Sequence, residues 1–205
     1  MYVRERQGVE LVRPLAPADL PVGLAADPVF LLPQTAYAAL LPRTRCFGRP
    51  TLVAYIVNWR CAADAYLDEL EALAASRGEG LAVIAGQGSE DFVPARLRFD
   101  CGPVGFLHAV RDAAAVVTNS FHGIVFALVF GRPFVYVPQR NETGSDQNVR
   151  QRELLERFGL GGRECPAGEL AAAGERLAPL PAGTGSVLES VRRKAGTALG
   201  RCLEG

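Results

Sequence analysis

The sequence predicts an α/β protein built on a doubly wound parallel sheet. Short, wholly apolar runs alternate with longer segments whose apolar residues repeat at helical spacing. Continuous apolar runs are typical of strands that helices cover on both faces, as in parallel sheets. The clearest case is the stretch 116–138, in which a strand, a polar turn, a buried helix, a glycine stop and a second strand follow one another.

The first strand–helix–strand unit begins near the middle of the chain. Leu52–Asn58 is an apolar run that predicts a buried strand, and Ala62–Arg77 has the amphipathic pattern of a helix. Leu81–Ala85 then predicts a second short strand. The following segment, Phe92–Cys101, is ambiguous, and we interpret it as a loop with a short strand at Arg96–Phe99.

The second unit contains the most apolar helix of the chain. Val104–Asp112 is expected to be helical and leads into a strand at Ala115–Thr118. Residues 120–130 predict a helix that is apolar on all sides except in its first turn, so it should lie in the interior. A strand at 134–137 follows it. Near the C-terminus, Ser186–Cys202 has apolar residues at helical spacing and predicts a last helix.

Doubly wound sheets bind ligands beyond the carboxyl ends of their strands. Three polar turns fall at such ends, namely Asn58–Arg60, Gly86–Glu90 and Thr118–His122. The polar segment Arg140–Asn148 follows another strand end. We expect these segments to form one rim.

The first turn of the buried helix is the best candidate for a site. Ser120 and His122 stand where unpaired backbone N–H groups and the helix dipole attract an anion, and Gly123 allows close approach to the backbone. The alternatives are a Ser120 that only caps the helix and a His122 that is only hydrogen-bonded. The second histidine, His108, is expected to be structural.

Composition narrows the classes of function. Hydrophobic residues make up 49% of the chain, and 22 Lys and Arg balance 22 Asp and Glu, so no strong field attracts nucleic acid or an acidic membrane. The five cysteines form no C-x-x-C pair, which favours reduced thiols over disulfides or a zinc site. No cluster of metal ligands is apparent. Without a signal peptide or a membrane-length apolar run, we expect a cytoplasmic protein.

Three ordered stretches resemble the polysaccharide pyruvyl transferase family. The string TNSFHGIVFALVFGRPFV, which starts at Thr118, resembles its T-[DN]-S-x-H-G turn and the apolar helix after it. Tyr2–Gly8 with Asp27–Leu32 is similar to an S-x-R-E…D-P…L-L passage, and Asn148–Arg163 is similar to the family's tail. Tyr2 replaces a frequent serine, and an Ala/Gly/Pro-rich segment follows Arg163.

The resemblance implies a fold of GT-B type, in which two Rossmann-like halves enclose a cleft. Residues 1–45 would then be a remnant of the N-terminal domain with the inter-domain segment, and residues 46–205 the Rossmann-like C-terminal domain. On this interpretation the chain is a truncated gene product or one part of a split system. We expect it to be inactive alone and to regain activity only when an N-terminal half is supplied.

The implied reaction is ketal pyruvyl transfer from phosphoenolpyruvate to a sugar of a cell-surface or extracellular polysaccharide, or of its lipid-linked precursor, without a cofactor or metal. His122 is the candidate acid/base catalyst. The candidate substrate-binding residues are Arg4, Ser120, Phe121, Gly123, Arg60, Asn119, Asn148 and Arg150.

Several alternatives stay open. Arg60 and Arg150 could instead form surface salt bridges, and Glu5 could orient Arg4. The protein could also be a GT-B glycosyltransferase that uses a nucleotide sugar, or an inactive partner half. A homo-oligomer or a partner N-terminal half is compatible with either enzyme, and neither involves nucleic acid.

Overall fold

The computed structural model describes residues 1–57, 63–85, 92–139, 148–166 and 168–204. Within these ranges no helix is both long enough and apolar enough to cross a membrane.

The N-terminal segment combines a small parallel sheet with short helices. Strand β1 (Tyr2–Val3) pairs with β2 (Gly23–Leu24), and helix α1 (Arg6–Val12) lies between them in the chain. A 3-10 helix (Pro28–Leu31) and helix α2 (Gln34–Ala39) follow. The segment thus consists of short elements joined by loops.

The two predicted units follow in the expected order. The first contains β3 (Thr51–Tyr55), α3 (Ala63–Ser76) and β4 (Gly80–Ile84). The second begins with α4 (Pro103–Asp112) and β5 (Ala115–Thr118). Each helix lies between two strands in the chain, as parallel crossover connections require.

The rest of the chain completes the sheet and covers it. It consists of α5 (Phe121–Val129), β6 (Phe134–Tyr136), α6 (Val149–Arg157), 3-10 helices at Gly161–Arg163, Leu170–Ala172 and Glu175–Leu177, and α7 (Thr184–Glu204). Gly131, with φ of 65°, ends α5 because the N–H of Arg132 reaches back to the carbonyl of Ala127 at 2.8 Å.

The main sheet has four parallel strands in the order β4-β3-β5-β6. Tyr55 pairs with both Ile84 and Thr118, and Thr118 pairs with Tyr136, so the carboxyl ends of all four strands share one edge. The chain moves from β3 to β4 in one direction and to β5 and β6 in the other. This reversal is the switch point at which doubly wound sheets bind ligands.

Two strand predictions differ from the structure. β3 ends at Tyr55 rather than Asn58, because the N–H and carbonyl of Val57 pair with the side chain of Asn119 instead of a neighbouring strand. The strand predicted at Arg96–Phe99 is reduced to a single bridge with Val83. Helix boundaries agree with the predictions to within a few residues.

Alternate side chains of the sheet enter two separate cores. Val53 and Val116 point into a first core with α4, α5 and α6, whereas Leu52 and Val117 point into a second core with α3. Since a strand alternates its faces, helices must cover the sheet on both sides. The predicted doubly wound arrangement is therefore confirmed.

Part of the N-terminal segment belongs to the first core. Phe30 is fully buried and stacks on Phe158 with ring centroids 6.3 Å apart. Tyr37 meets Phe126 of α5 edge-on at 5.3 Å, and its hydroxyl donates to the carbonyl of Val29 at 2.8 Å. These contacts hold the segment around residue 27 against the start of α5.

Candidate active site

The switch point between β3 and β5 places the polar turn after β5 at the centre of the sheet edge. Other segments predicted for the same rim, Arg60 with its neighbours, Gly86–Glu90 and 140–147, lie outside the described residues. The described part of the candidate site consists of the turn Thr118–His122, the N-terminal segment and α6.

Thr118 connects the two central strands to the start of α5. Its hydroxyl donates to the carbonyl of Tyr55 at 2.6 Å and accepts a hydrogen bond from the N–H of Ser120 at 3.0 Å. The side chain of Ser120 does not cap the helix. The first intrahelical bond runs from the N–H of Ile124 to the carbonyl of Ser120, so the N–H groups of residues 121–123 precede the helical ladder, at the position where helices attract anions.

Gly123 is explained by packing. A Cβ atom at this position would lie 2.3 Å from the Oγ1 of Thr118 and 2.9 Å from its Cβ. The group that approaches the backbone of Gly123 is thus the Thr118 side chain. The absence of a side chain lets the first turn of α5 pack directly on the end of β5.

Asp27 is the centre of the candidate site. Its Oδ2 lies 2.8 Å from Nη1 of Arg4 and 3.6 Å from Nε2 of His122, and its Oδ1 accepts a hydrogen bond from the N–H of Val29 at 3.1 Å. Only 3% of the Asp27 side chain is exposed, against 46% for Arg4 and 49% for His122. A buried carboxylate therefore holds two half-exposed groups, one cationic and one able to exchange a proton.

Sequence reasoning did not assign a role to Asp27. It belongs to the D-P passage quoted above, where an Asp before a proline is also a common helix cap. The structure shows that Asp27 does cap the 3-10 helix with Oδ1 while Oδ2 faces Arg4 and His122. The motif contained the signal, but nothing in the local pattern identifies the second contact.

A second cation, Arg150, contacts the same turn through Phe121. Its guanidinium stacks over the ring of Phe121, with Cζ 4.4 Å from the centroid, and its Nε forms an ion pair with Glu5. Arg150 thus forms the salt bridge that was its alternative role, with Glu5 as the partner, whereas Arg4 pairs with Asp27. Among the described residues, Nη2 of Arg150 is buried and lacks a hydrogen-bond partner.

Asn119 and Asn148, both predicted to bind substrate, are buried clamps. Asn119 accepts from the N–H of Val57 at 2.7 Å and donates to its carbonyl at 2.8 Å. Asn148 accepts from the hydroxyl of Tyr136 at 2.6 Å and makes two hydrogen bonds with the backbone of Gln139. Their recorded contacts fix the backbone at the strand ends, which gives these two asparagines a structural role.

His108 has a closed environment. Its Nε2 lies 3.0 Å from the carbonyl oxygen of Thr44 and 3.3 Å from Oδ2 of Asp112, and only 12% of its side chain is exposed. Asp112 in turn accepts a hydrogen bond from the N–H of Cys46 at 2.7 Å. These contacts join α4 to the segment before β3 and assign His108 a structural role.

The cysteines do not form a reactive centre in the described part of the chain. Cys46, Cys101, Cys165 and Cys202 are free thiols. Burial raises the pKa of Cys46, Cys101 and Cys165, which keeps these three thiols protonated near neutral pH. No group of three or more His, Cys, Asp or Glu side chains is placed to hold a metal ion in this part of the chain.

Several solved glycosyltransferase structures are similar to this chain. The spinosyn rhamnosyltransferase SpnG is 16% identical with a TM-score of 0.53, and the match covers 92% of this chain and 53% of SpnG. The glycotransferase of kitacinnamycin is 20% identical with a TM-score of 0.50, covering 76% and 41% of the two chains. SnogD from Streptomyces nogalater is 19% identical with a TM-score of 0.49, covering 86% and 54%.

These likenesses concern the fold. The matches to SpnG and to the kitacinnamycin glycotransferase confirm a parallel α/β domain that resembles one half of a GT-B enzyme, and this chain spans about half the length of these solved structures. No curated protein sequence matches the chain.

The family follows from the sequence. A model of polysaccharide pyruvyl transferases matches residues 1–141, which include the R-E and D-P passages and the whole T-N-S-F-H-G turn, whereas the predicted tail motif at Asn148–Arg163 lies beyond the match. The matched range contains Arg4, Asp27 and His122, the three residues that meet in the structure. The chain belongs to the polysaccharide pyruvyl transferase family.

Proposed function

We propose that this chain carries the donor-binding and proton-transfer half of a ketal pyruvyltransferase. The donor is phosphoenolpyruvate, and the acceptor is a sugar of a cell-surface or extracellular polysaccharide or of its lipid-linked precursor, acted on in the cytoplasm. The observation that carries the proposal is the Asp27 carboxylate in contact with both Arg4 and His122 beside the N-terminus of α5. Family membership supplies the class of reaction.

The reaction requires a proton donor and sites for two anionic groups. Protonation at C3 of the donor and attack of one sugar hydroxyl at C2 give a phosphorylated adduct. A second hydroxyl then forms its bond to C2 as the C2–O bond to phosphate breaks, and the cyclic ketal and phosphate are the products. One acid/base group can serve the proton transfers, and cations and N–H groups can hold the carboxylate and phosphate.

We assign the proton transfers to His122. It is the described histidine with an open side, since 49% of its side chain is exposed, and Asp27 restricts its position through the contact at Nε2. A histidine near the start of a helix can also lie close to an anion bound by the helix N–H groups. Asp27 acts through His122 and Arg4 and is therefore a positioning residue.

We assign donor binding to Arg4, the turn Ser120–Gly123 and Arg150. Arg4 is half exposed and keeps guanidinium N–H groups beyond the one that contacts Asp27. The N–H groups of residues 121–123 supply neutral donors, and Phe121 positions the guanidinium of Arg150. We retain Arg60 in the same role as a prediction. Asn119 and Asn148 support this surface from below through their backbone contacts.

The domain interpretation belongs to the same proposal. We propose residues 46–205 as the Rossmann-like C-terminal domain and residues 1–45 as the passage from an N-terminal half, because the similar solved enzymes are about twice as long. A second half or a second copy would then complete the cleft. Ketal formation from phosphoenolpyruvate by the isolated 205-residue chain as a monomer would contradict this part.

Calorimetry of donor binding tests the proposed function. The chain is titrated with phosphoenolpyruvate and, separately, with a nucleoside-diphosphate sugar. We expect phosphoenolpyruvate to bind and Arg4→Ala to lower its affinity. Arg96→Ala breaks an exposed ion pair with Glu71 and should leave this affinity unchanged. Binding of the nucleotide sugar alone would instead support the glycosyltransferase alternative, and binding of neither would support the inactive partner.

A further inference from the structure

A basic groove runs between the N-terminal segment and α7. It consists of two adjoining cavities of about 650 Å³ and 530 Å³, which share Leu24, Ser190 and Lys194 as lining residues. The first cavity extends towards α1 and the end of α6, and the second extends along α7 towards its C-terminal end. We call this feature the α7 groove.

The side chains that line the α7 groove are basic without a balancing carboxylate. Its five cations are Arg6, Arg157, Arg193, Lys194 and Arg201, and none of its lining residues is Asp or Glu. All five cations are exposed, and none forms an ion pair with another described residue. A carboxylate next to the groove, that of Glu153, accepts a hydrogen bond from the backbone N–H of Arg6 at 3.3 Å and not from its guanidinium.

Several arginines outside the α7 groove are paired instead. Arg4, Arg150 and Arg192 each have a carboxylate partner. Acidic and basic residues are equal in number over the whole chain, so the uncompensated positive charge of the α7 groove is a local property. A concave surface with charge of one sign concentrates ligands of the opposite sign.

The groove also offers polar and apolar surface beside the cations. Ser190 contributes a hydroxyl group, and Leu24, Ala26 and Val187 form an apolar wall of the first cavity. Guanidinium, ammonium and hydroxyl groups are the donors that proteins use for phosphate. The apolar wall suits a carbon skeleton attached to that phosphate.

We propose that the α7 groove binds a phosphate or diphosphate group of a ligand other than the donor. It is a second anion site, because its lining residues do not include Arg4, Asp27, His122 or Arg150. The two sites are neighbours along the chain, since Ala26 lines the groove and Asp27 holds the candidate active site. The phosphate can belong to a soluble molecule or to a lipid headgroup.

Calorimetry with inorganic pyrophosphate tests the site. The double variant Arg157→Ala/Lys194→Ala removes two groove cations. The matched control, Arg43→Ala/Arg45→Ala, removes two exposed arginines outside it. We expect the groove variant to weaken pyrophosphate binding by about tenfold or more and the control by less than about twofold. Arg4→Ala should leave this binding in place, and the groove variant should leave binding of phosphoenolpyruvate unchanged.

Vesicle sedimentation identifies the source of the phosphate. Vesicles of phosphatidylcholine with and without phosphatidylglycerol are compared for the wild-type chain and both double variants. Binding to the anionic vesicles that is lost only in the groove variant would assign a lipid headgroup, even if pyrophosphate does not bind. The proposal is overturned if neither probe binds, if both double variants lose binding equally, or if pyrophosphate binding depends on Arg4 and not on the groove.

Discussion

The molecule contains two histidine–aspartate pairs that differ in what surrounds them. In the pair His108–Asp112 both side chains are largely buried, with 12% and 16% exposed, and each has a further partner. In the pair His122–Asp27 the carboxylate is 3% exposed, whereas the imidazole is 49% exposed. Little of the first pair is exposed, whereas the second is open on the side of the histidine.

The difference separates a structural pair from a candidate catalytic pair. Asp112 is held by the neighbouring Arg111 and by the N–H of Cys46, so its pair joins two segments of backbone. Asp27 is held by Arg4, which is itself half exposed and cationic. A buried carboxylate that presents an open cation and an open imidazole can act on a ligand. The same residue types therefore have different roles because of their neighbours.

Replacement of the two histidines should show the largest contrast. In an assembled form that transfers pyruvate, His122→Ala should lower turnover by about 10²–10⁴-fold, the usual contribution of general acid–base catalysis. His108→Ala should leave turnover nearly unchanged and lower thermal stability instead. Phosphate release from phosphoenolpyruvate and circular dichroism measure the two effects. Near-normal turnover in His122→Ala would remove this residue from the mechanism.

Replacement of Asp27 should have the next largest effect. Asp27→Asn keeps the shape but removes the charge that holds Arg4 and His122, so kcat/KM should fall by about 10–100-fold. As a positioning residue Asp27 should also change the pH profile of kcat/KM, which a purely structural residue would not do. Asp112→Asn is the matched control and should preserve that profile. An unchanged profile in Asp27→Asn would make Asp27 only a cap of the 3-10 helix.

A smaller effect is expected for Arg4→Lys. Lysine keeps the positive charge but loses the planar pair of donors, so affinity for phosphoenolpyruvate should fall by roughly three- to tenfold. Arg96→Lys changes an exposed arginine in the same way and serves as control. If neither Arg4→Lys nor Arg4→Ala weakens binding of phosphoenolpyruvate, then Arg4 only neutralises the buried carboxylate of Asp27.

The smallest expected effect concerns stability at low pH. Burial by itself raises the pKa of Asp112, but hydrogen bonds from Arg111 and from the N–H of Cys46 outweigh it and lower the pKa below its usual value. The pKa of Asp112 is therefore lower in the folded state than in the unfolded state. The ionised carboxylate stabilises the fold fully above the usual carboxylate range, about pH 4–5, and this contribution is lost as the pH falls below that range.

Urea unfolding of Asp112→Asn as a function of pH measures this contribution. At neutral pH the variant should be less stable than the wild type by about 1 kcal/mol, and the difference should shrink as the pH falls below about 4. Asp19→Asn removes an exposed carboxylate away from Asp112 and serves as the control, so its acid-side loss of stability should resemble that of the wild type. A difference that stays constant down to the acid limit would contradict the role given to Asp112.

Much of the fold was predictable because it depends on short-range patterns. The strand at Ala115–Thr118 has the predicted boundaries, and the buried helix after it differs by one residue at each end. Both follow from apolar runs bounded by polar or glycine residues, and such patterns can be recognised within a short window of sequence. Gly123 was predicted as a place of close approach, whereas its partner, the Thr118 side chain, became apparent only from packing.

Asn119 and Asn148 show what local sequence patterns cannot predict. A polar residue at a strand end has the same local pattern whether it binds a ligand or the backbone. Asn119 and Asn148 meet the backbone of Val57 and Gln139, and these contacts depend on how strands and loops are arranged in space. Arg150 and Glu5 pair across the fold for the same reason.

The sequence by itself determined the parallel α/β fold, the family and the importance of the turn that contains His122, because apolar periodicity and an ordered motif are written in adjacent residues. Only the tertiary structure decided that Asp27 contacts both Arg4 and His122 and that His108 is largely buried beside Asp112. The physical reason is that a carboxylate interacts with whichever groups folding brings within a few ångströms, and these groups come from segments far apart in the chain.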